Sequence, residues 1–354
     1  MKADFTRLLL VWNTSQNLRE MPWKGEKDPY KIWLSEIILQ QTRVEQGRIY
    51  YEKFLKTFPT IKQLAKAPDE KVFKLWEGLG YYSRCKNLLF TARKIVQEMD
   101  AIFPDTYEEI KKLKGIGPYT AAAIASFAFN EPYAVVDGNV QRVIARYFGI
   151  VSPPDTSAGK KIYDLLAQAL LDKKKPAIYN QAIMDFGAVI CKPQNPLCNQ
   201  CIQKKDCMAL KLNEVKSLPV KGKRIDKKNR WFYYFLFLCN NQVYVRKRIQ
   251  KDIWQNLYEF VLEESSAPII HSFEDCRFVE KIIGKHAYTI SSISKMYRQQ
   301  LSHQYINGQF IVITVKKELT SLSDYSLVGK DKIKKIPFPV LIQRYLQSNP
   351  QIVH

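Results

Sequence analysis

The chain has 354 residues, 46% of them hydrophobic, and carries 55 Lys and Arg against 34 Asp and Glu, a formal net charge of +21 at pH 7. Such a length and apolar content exclude a disordered polyelectrolyte and predict two folded domains, and no run of eighteen apolar residues offers a membrane span. The cationic excess is the balance of a nucleic-acid binder, although a basic surface can also serve solubility alone.

The N-terminal apolar run Leu8-Leu9-Leu10-Val11-Trp12 is too short for the core of an export signal, so a reducing, cytoplasmic location is expected. Met21-Pro22-Trp23-Lys24 then precedes Asp28-Pro29-Tyr30 through Gln40-Gln41-Thr42, a loop followed by a helix. Glu36 is the odd residue of that helix, a carboxyl among Trp33, Ile37, Ile38 and Leu39. Desolvation there would raise its pKa and make it a general acid near neutrality, whereas on a wetted helix face it would do nothing. Further on, Leu113-Lys114-Gly115-Ile116-Gly117-Pro118-Tyr119 lies between a helix over about 107–112 and another opening at Pro118. Gly115 and Gly117 permit a tight turn that points free N–H groups outward, suited to a phosphate, and a plain helical corner is the bland alternative. Asp137 follows in the run Ala134-Val135-Val136-Asp137-Gly138-Asn139-Val140. It can cap a helix over about 139–147, whose positive end would keep it ionised and able to stabilise a sugar cation. One neutral acid and one charged carboxylate are the pair that cleaves a glycosidic bond.

The cysteines fall at 85, 191, 198, 201, 207, 239 and 276, and four of them form Cys191-x6-Cys198-x2-Cys201-x5-Cys207. Four thiolates in so short a stretch suit a zinc ion or a 4Fe-4S cluster, and the single close pair with wider flanking gaps favours the cluster. Residues 211–230 hold eight basic and two acidic residues and read as a basic linker. Strand patterns succeed it at Trp231–Leu238, Gln242–Val245 and Phe310–Val315, so a nearly all-α part precedes an α+β part.

Together these segments, with Trp76-Glu77-Gly78-Leu79-Gly80-Tyr81-Tyr82-Ser83-Arg84 and Asn180-Gln181-Ala182, resemble the MutY-type adenine DNA glycosylases of the helix-hairpin-helix, endonuclease III superfamily over nearly the whole chain. The resemblance implies a helix-hairpin-helix glycosylase domain over 1–210 with a 4Fe-4S loop at 191–207, the linker, and a Nudix-like domain over 231–354 that recognises 8-oxoguanine. It implies that Glu36 protonates adenine at N7, that Asp137 stabilises the sugar cation, and that Tyr119 and Asn139 support them. By the same resemblance Arg19, Trp23 and Gln181 wall the adenine pocket, Gln41 and Tyr81 wedge into the duplex, and Ser302 and His303 touch the lesion. The implied partner is double-stranded DNA with adenine opposite 8-oxoguanine, bound by a monomer that acts in the nucleoid. Tyr119 stands where bifunctional relatives have lysine, so base release without strand cleavage is expected, with Lys112 and Lys114 near enough in sequence for weak adventitious cutting. No G-x5-E-x7-R-E-x2-E-E box follows residue 262, so no pyrophosphatase activity is expected. The chain departs from the family pattern at Lys114, Lys24, Leu301 and Val261, of which Leu301 bears on lesion grip. An endonuclease III-like lyase and a non-catalytic iron–sulfur DNA-binding protein are the alternatives; the first would want lysine at 119 and no β domain, the second would not need Glu36.

Overall fold

A computed structural model of the protein describes residues 2–222, 226–269 and 277–352. Cys276 and three residues of the basic linker, 223–225, lie outside the described residues. The chain divides into two compact units, Met1–Lys66 with Asn87–Lys223, and Ala67–Lys86 with Arg224–His354.

Helices in chain order are α1 (Lys2–Ser15), α2 (Pro29–Leu39), α3 (Val44–Thr57), α4 (Ile61–Lys66), α5 (Asp69–Trp76), α6 (Tyr82–Glu98), α7 (Tyr107–Lys111), α8 (Pro118–Phe129), α9 (Gly138–Phe148), α10 (Ser157–Leu170), α11 (Pro176–Val189) and α12 (Met208–Lys211). The first unit is helical, and its local signals are those the sequence carries. Asp28 caps α2 by accepting a hydrogen bond from Tyr30 N, with Pro29 in the first turn. Gly117 caps α8 with Pro118 behind it, and Gly115 takes a φ of +82° at the preceding turn. A side chain at Gly115 would be strained, and its Cβ would also come within 2.5 Å of Asn87 Cβ. Helix α8 is apolar all round and fully buried from Ala121 to Ala125, the signature of a helix enclosed by others. A second core joins Phe5, Leu9 and Trp12 of α1 to Val143 and Tyr147 of α9, Tyr163 of α10 and Phe186 of α11.

The second unit is built on a sheet of strands β1 (Lys228–Cys239), β2 (Gln242–Lys247), β3 (Tyr258–Glu259), β4 (Val261–Ser265), β5 (Tyr288–Ile293), β6 (Tyr297–Gln300), β7 (Gln304–Val315) and β8 (Ser326–Gly329). The three strand patterns of the sequence lie inside β1, β2 and β7. Strand β1 runs parallel to β7 from Lys228 opposite Gln304 to Leu238 opposite Thr314, and antiparallel to β2 and β4. Phe232 to Phe237 are all buried, which explains a continuous apolar run in place of alternation. Asn240 and Asn241 turn β1 into β2 with φ of 47° and 64°, the left-handed pair that a two-residue hairpin requires. Helices α13 (Arg277–Ile283), α14 (Lys330–Ile333) and α15 (Val340–Ser348) complete the unit; α13 and α15 close the two faces, Ile283 packing with Phe235 and Ile311, and Tyr345 stacking on Phe310 at 3.9 Å.

Residues 67–86 belong to this unit because their polar groups are satisfied there. Phe338 N donates to Glu77 Oε1 at 2.9 Å, Lys74 Nζ donates to Ile336 O at 3.2 Å, and the Tyr258 hydroxyl bonds the Glu70 carboxylate.

Within the helical unit, Gly187 of α11 lets the start of α9 approach closely, since a Cβ there would stand 2.7 Å from Asn139 Cβ and 3.0 Å from its carbonyl oxygen. Backbone cannot yield as a flexible side chain does, so Gly187→Ala is expected to lower unfolding free energy by about 2 kcal/mol in urea titration.

Candidate active site

A cavity of about 780 Å³ in the helical unit is lined by Arg19, Trp23, Glu36, Gln41, Tyr119, Asp137, Asn139 and Gln181. Eight candidates scattered over more than 160 positions therefore converge on one space. Helix α2 supplies Glu36, the start of α8 supplies Tyr119, the cap of α9 supplies Asp137 and its first turn Asn139, and α11 supplies Gln181. Gln41, just past α2, has a φ of 56°, a conformation that non-glycine residues adopt only where the surroundings hold them.

Glu36 is buried, with 7% of its surface exposed. Burial pushes its carboxyl up to about 7 and the neighbouring Asp137 pushes the same way, while a hydrogen bond from the Tyr119 phenol pulls back. The Tyr119 hydroxyl is itself driven well above its ordinary value by burial and by both carboxyls, so it stays a proton donor aimed at Glu36. The upward direction is the one the apolar surroundings of Glu36 predict.

Asp137 caps α9 as anticipated, Oδ1 accepting from Val140 N at 2.8 Å. Its pKa direction differs from the expectation that the helix end would dominate. Burial raises it, and the bonds from Val140 and Asn139 and the charge of Arg142 offset that only in part. Asn139 Nδ2 donates to Asp137 Oδ2 at 2.7 Å, and Arg142 Nη2 donates to Asn139 Oδ1 at 2.8 Å and to Gly187 O at 2.7 Å. The guanidinium thereby fixes which end of the Asn139 amide faces the carboxylate.

Sequence reasoning missed Asp185, the hub behind the pocket wall. It has 0% exposure and accepts from Asn17 Nδ2 at 2.9 Å, Arg19 Nη1 at 2.8 Å, Gln181 Nε2 at 2.9 Å and Lys24 Nζ at 3.0 Å. The nitrogen end of the Gln181 amide consequently faces Asp185 and its oxygen end faces away. The available signal was an acid in the apolar run Ala182-Ile183-Met184-Asp185-Phe186, one helical turn after Gln181. Trp23 lies edge-on to Tyr51, ring centroids 5.5 Å apart.

The other candidates lie elsewhere. Tyr81, Ser302 and His303 line a cavity of about 810 Å³ in the second unit, where the Tyr81 hydroxyl bonds the Ser302 hydroxyl. Gly115 and Gly117 form the turn between α7 and α8. Cys191, Cys198, Cys201 and Cys207 line one small cavity with Arg146, whose Nη1 is 3.5 Å from Cys191 Sγ and donates to Lys192 O at 2.7 Å. Four soft sulfur donors on one cavity suit the group the spacing asks for, and among the described residues no three ligating side chains close to the spacing of a single bound ion. Arg142 Nε also donates to Cys191 O at 2.8 Å, tying this loop to the Asn139 amide.

Residues 34–168 match the model of the HhH-GPD superfamily of base excision DNA repair proteins. The chain is 38% identical over 261 residues to an adenine DNA glycosylase of Buchnera aphidicola subsp. Baizongia pistaciae, covering 72% of this chain and 73% of that protein. It is 40% identical over 227 residues to adenine DNA glycosylase of Homo sapiens, covering 62% of this chain and 41% of that protein. Among solved structures, a thermostable thymine-DNA glycosylase superposes with a TM-score of 0.55 at 31% identity, over 60% of this chain and 97% of its own. An endonuclease III–DNA complex gives 0.52 at 20% identity, over 60% and 98%, a likeness of fold alone.

Two stability outcomes follow from the buried acids. Because the fold raises the Glu36 pKa from an ordinary 4.5 to about 7, the protonated form is the one the fold accommodates, and stability is lost as pH rises through that value. Glu36→Gln is therefore expected to melt at least ~3 °C above wild type at pH 8.5 and level with it near pH 4, by calorimetry. Asp185→Ala strands two cations and is expected to cost about 3 kcal/mol in denaturant unfolding.

Proposed function

Since the chain belongs to the adenine DNA glycosylase family of the HhH-GPD superfamily, we propose that it excises adenine from duplex DNA by hydrolysing the N-glycosidic bond, acting on adenine opposite 8-oxoguanine. The observation that carries this reading is the pairing, in one cavity, of a carboxyl raised to about 7 with a second carboxylate held by a helix cap and an amide. Glu36 donates its proton to adenine N7, which turns the base into a neutral leaving group. Asp137 faces the positive charge that develops on the sugar, and Asn139, fixed by Arg142, keeps its carboxylate aimed. The Tyr119 phenol steadies Glu36 and accepts no role as nucleophile. Arg19, Trp23 and Gln181, backed by Asp185, wall the space for a base that must first leave the stack. Gln41 and Tyr81 enter the duplex beside it, the turn of Gly115 and Gly117 takes a backbone phosphate, and Ser302 and His303 meet the oxidised base.

Base release here leaves the strand uncut. A Schiff base needs an unprotonated amine, and the cavity's Lys24 is committed to Asp185 and to Arg19 O at 2.7 Å, while Lys27 Nζ donates to Phe127 O at 3.0 Å. Lys112 is paired with Glu109 at 2.5 Å, and Lys114 Nζ stands 4.3 Å from the Phe90 ring centroid. Residues 1–210, without the 67–86 segment that folds with the β-rich unit, carry the chemistry, 211–230 link, and 231–354 form a Nudix-like reader of the lesion. Cys191, Cys198, Cys201 and Cys207 would hold a 4Fe-4S cluster, a redox-capable group whose part here is to fold the basic loop with Lys192, Lys204 and Lys205. No described helix is long and apolar enough to cross a membrane, and a monomer acting on DNA inside the cell is the setting proposed.

Single-turnover assays on a duplex with adenine opposite 8-oxoguanine are expected to yield strand breaks only after alkali, and Glu36→Gln is expected to lower the rate at least ~100-fold. The wild-type rate should fall as pH rises above about 7, the value to which Glu36 is raised. Breaks without alkali would mark a lyase instead.

A further inference from the structure

Tyr81 sits in the second unit in a conformation its own sequence does not favour. Its φ is 46°, just after Gly78 at 100° and Gly80 at 73°, and 44% of its surface is exposed. An exposed tyrosine on a left-handed backbone would be expected to lose its place unless something held it. Arg84, one turn further along, is 9% exposed and stands with its guanidinium carbon 5.6 Å from the Tyr81 ring centroid and 5.2 Å from that of Trp76. Its Nη2 donates to both Leu79 O and Gly80 O at 3.4 Å, and Trp76 Nε1 donates to the same Gly80 O at 3.0 Å. Burial lowers the guanidinium pKa to about 10, which leaves it charged at neutral pH.

We propose that Arg84 is a positioning residue for Tyr81, its guanidinium clamped between the Trp76 ring and the loop carbonyls and fixing the orientation in which the Tyr81 ring is presented at the lesion cavity. This rests on the reading that Tyr81 enters the duplex beside the oxidised base. A flat cation suits the task because it lies along a ring face while its N–H groups reach sideways to the loop, which a lysine ammonium cannot do from one point. Tyr81 is then held at both ends, by Arg84 at the ring and by Ser302 at the hydroxyl. Presented in order, it loses little freedom on meeting the duplex, and the gain falls on the lesion that Ser302 also faces.

The test compares single-turnover rates of adenine release opposite 8-oxoguanine and opposite guanine in the full-length protein. Arg84→Met is expected to lower the ratio of the two rates about tenfold, the scale of a desolvated cation–ring contact, and Tyr81→Leu to lower it as much. The double variant should fall no further than either single one, and Arg84→Lys should recover part of the loss. Arg84→Gln, which retains an N–H donor for the loop, is measured alongside and should fall as Arg84→Met does. A wild-type ratio in folded Arg84→Met with a reduced ratio in Tyr81→Leu overturns the role of Arg84 and leaves that of Tyr81 standing. An unchanged ratio in Tyr81→Leu overturns both, while adenine release in every variant still supports the glycosylase itself. Failure of Met and Gln variants alike to melt cooperatively also overturns the proposal, making Arg84 a residue of the fold only.

Discussion

Withholding water from one carboxyl group is the constraint on which the helical unit depends. Glu36 has solvent removed by the apolar residues of its own helix and by α8, and that burial is the largest cause of its raised pKa. Other polar groups of the cavity answer to the same burial. Tyr119 can donate to it because the phenol is kept protonated by the same burial and by the same two carboxyls. Asp137 is pushed in the same direction, yet it receives a backbone N–H, an amide N–H and a nearby guanidinium, which favour the charged form. Two carboxyls buried in one cavity thus receive different donors.

Such a site has a cost, because buried charge is unfavourable unless paired. Asp185 and Arg142 carry that burden from behind the cavity. Asp185 gathers four donors without itself being exposed, and Arg142 spans from the Asn139 amide to the carbonyls of Gly187 and Cys191. Each hub joins elements far apart in the chain, the loop after α1 to α11 in one case and the start of α9 to the cysteine loop in the other. Arg146 continues the pattern, donating to Leu218 O at 3.0 Å, Lys192 O at 2.7 Å and Pro193 O at 3.2 Å. The cysteine loop is consequently pinned by two arginines of α9, the helix whose cap is Asp137. Orientation of the Asp137 carboxylate and closure of that loop share one helix.

Much of the local structure was legible beforehand, and for reasons that are local. The caps at Asp28 and Asp137, the prolines at 29 and 118, and the turn at Gly115 act through neighbouring backbone, so a few residues declare them. The strands at Trp231–Leu238 and Phe310–Val315 were visible because a strand covered on both faces must be apolar throughout. The odd acid on α2 was legible for the same reason: a carboxyl among tryptophan and isoleucines has to be either useful or expensive. The direction at Asp137 went otherwise than expected, because a helix end is a local influence and burial is a property of everything packed around it.

By itself the sequence determined the turns, the caps, the strand and helix periods and the order of the chemical groups, since each is decided by residues within a helical turn or two of one another. Only the tertiary structure decided what those groups face. That Gln181 and Arg19 share Asp185, that residues 67–86 join the β-rich unit through Glu77 and Phe338, and that Tyr81 lies under Arg84 beside Ser302 are matters of packing between distant segments. Hydrogen bonds and desolvation act over a few ångströms of space, and no spacing along the chain fixes which segments will come that close.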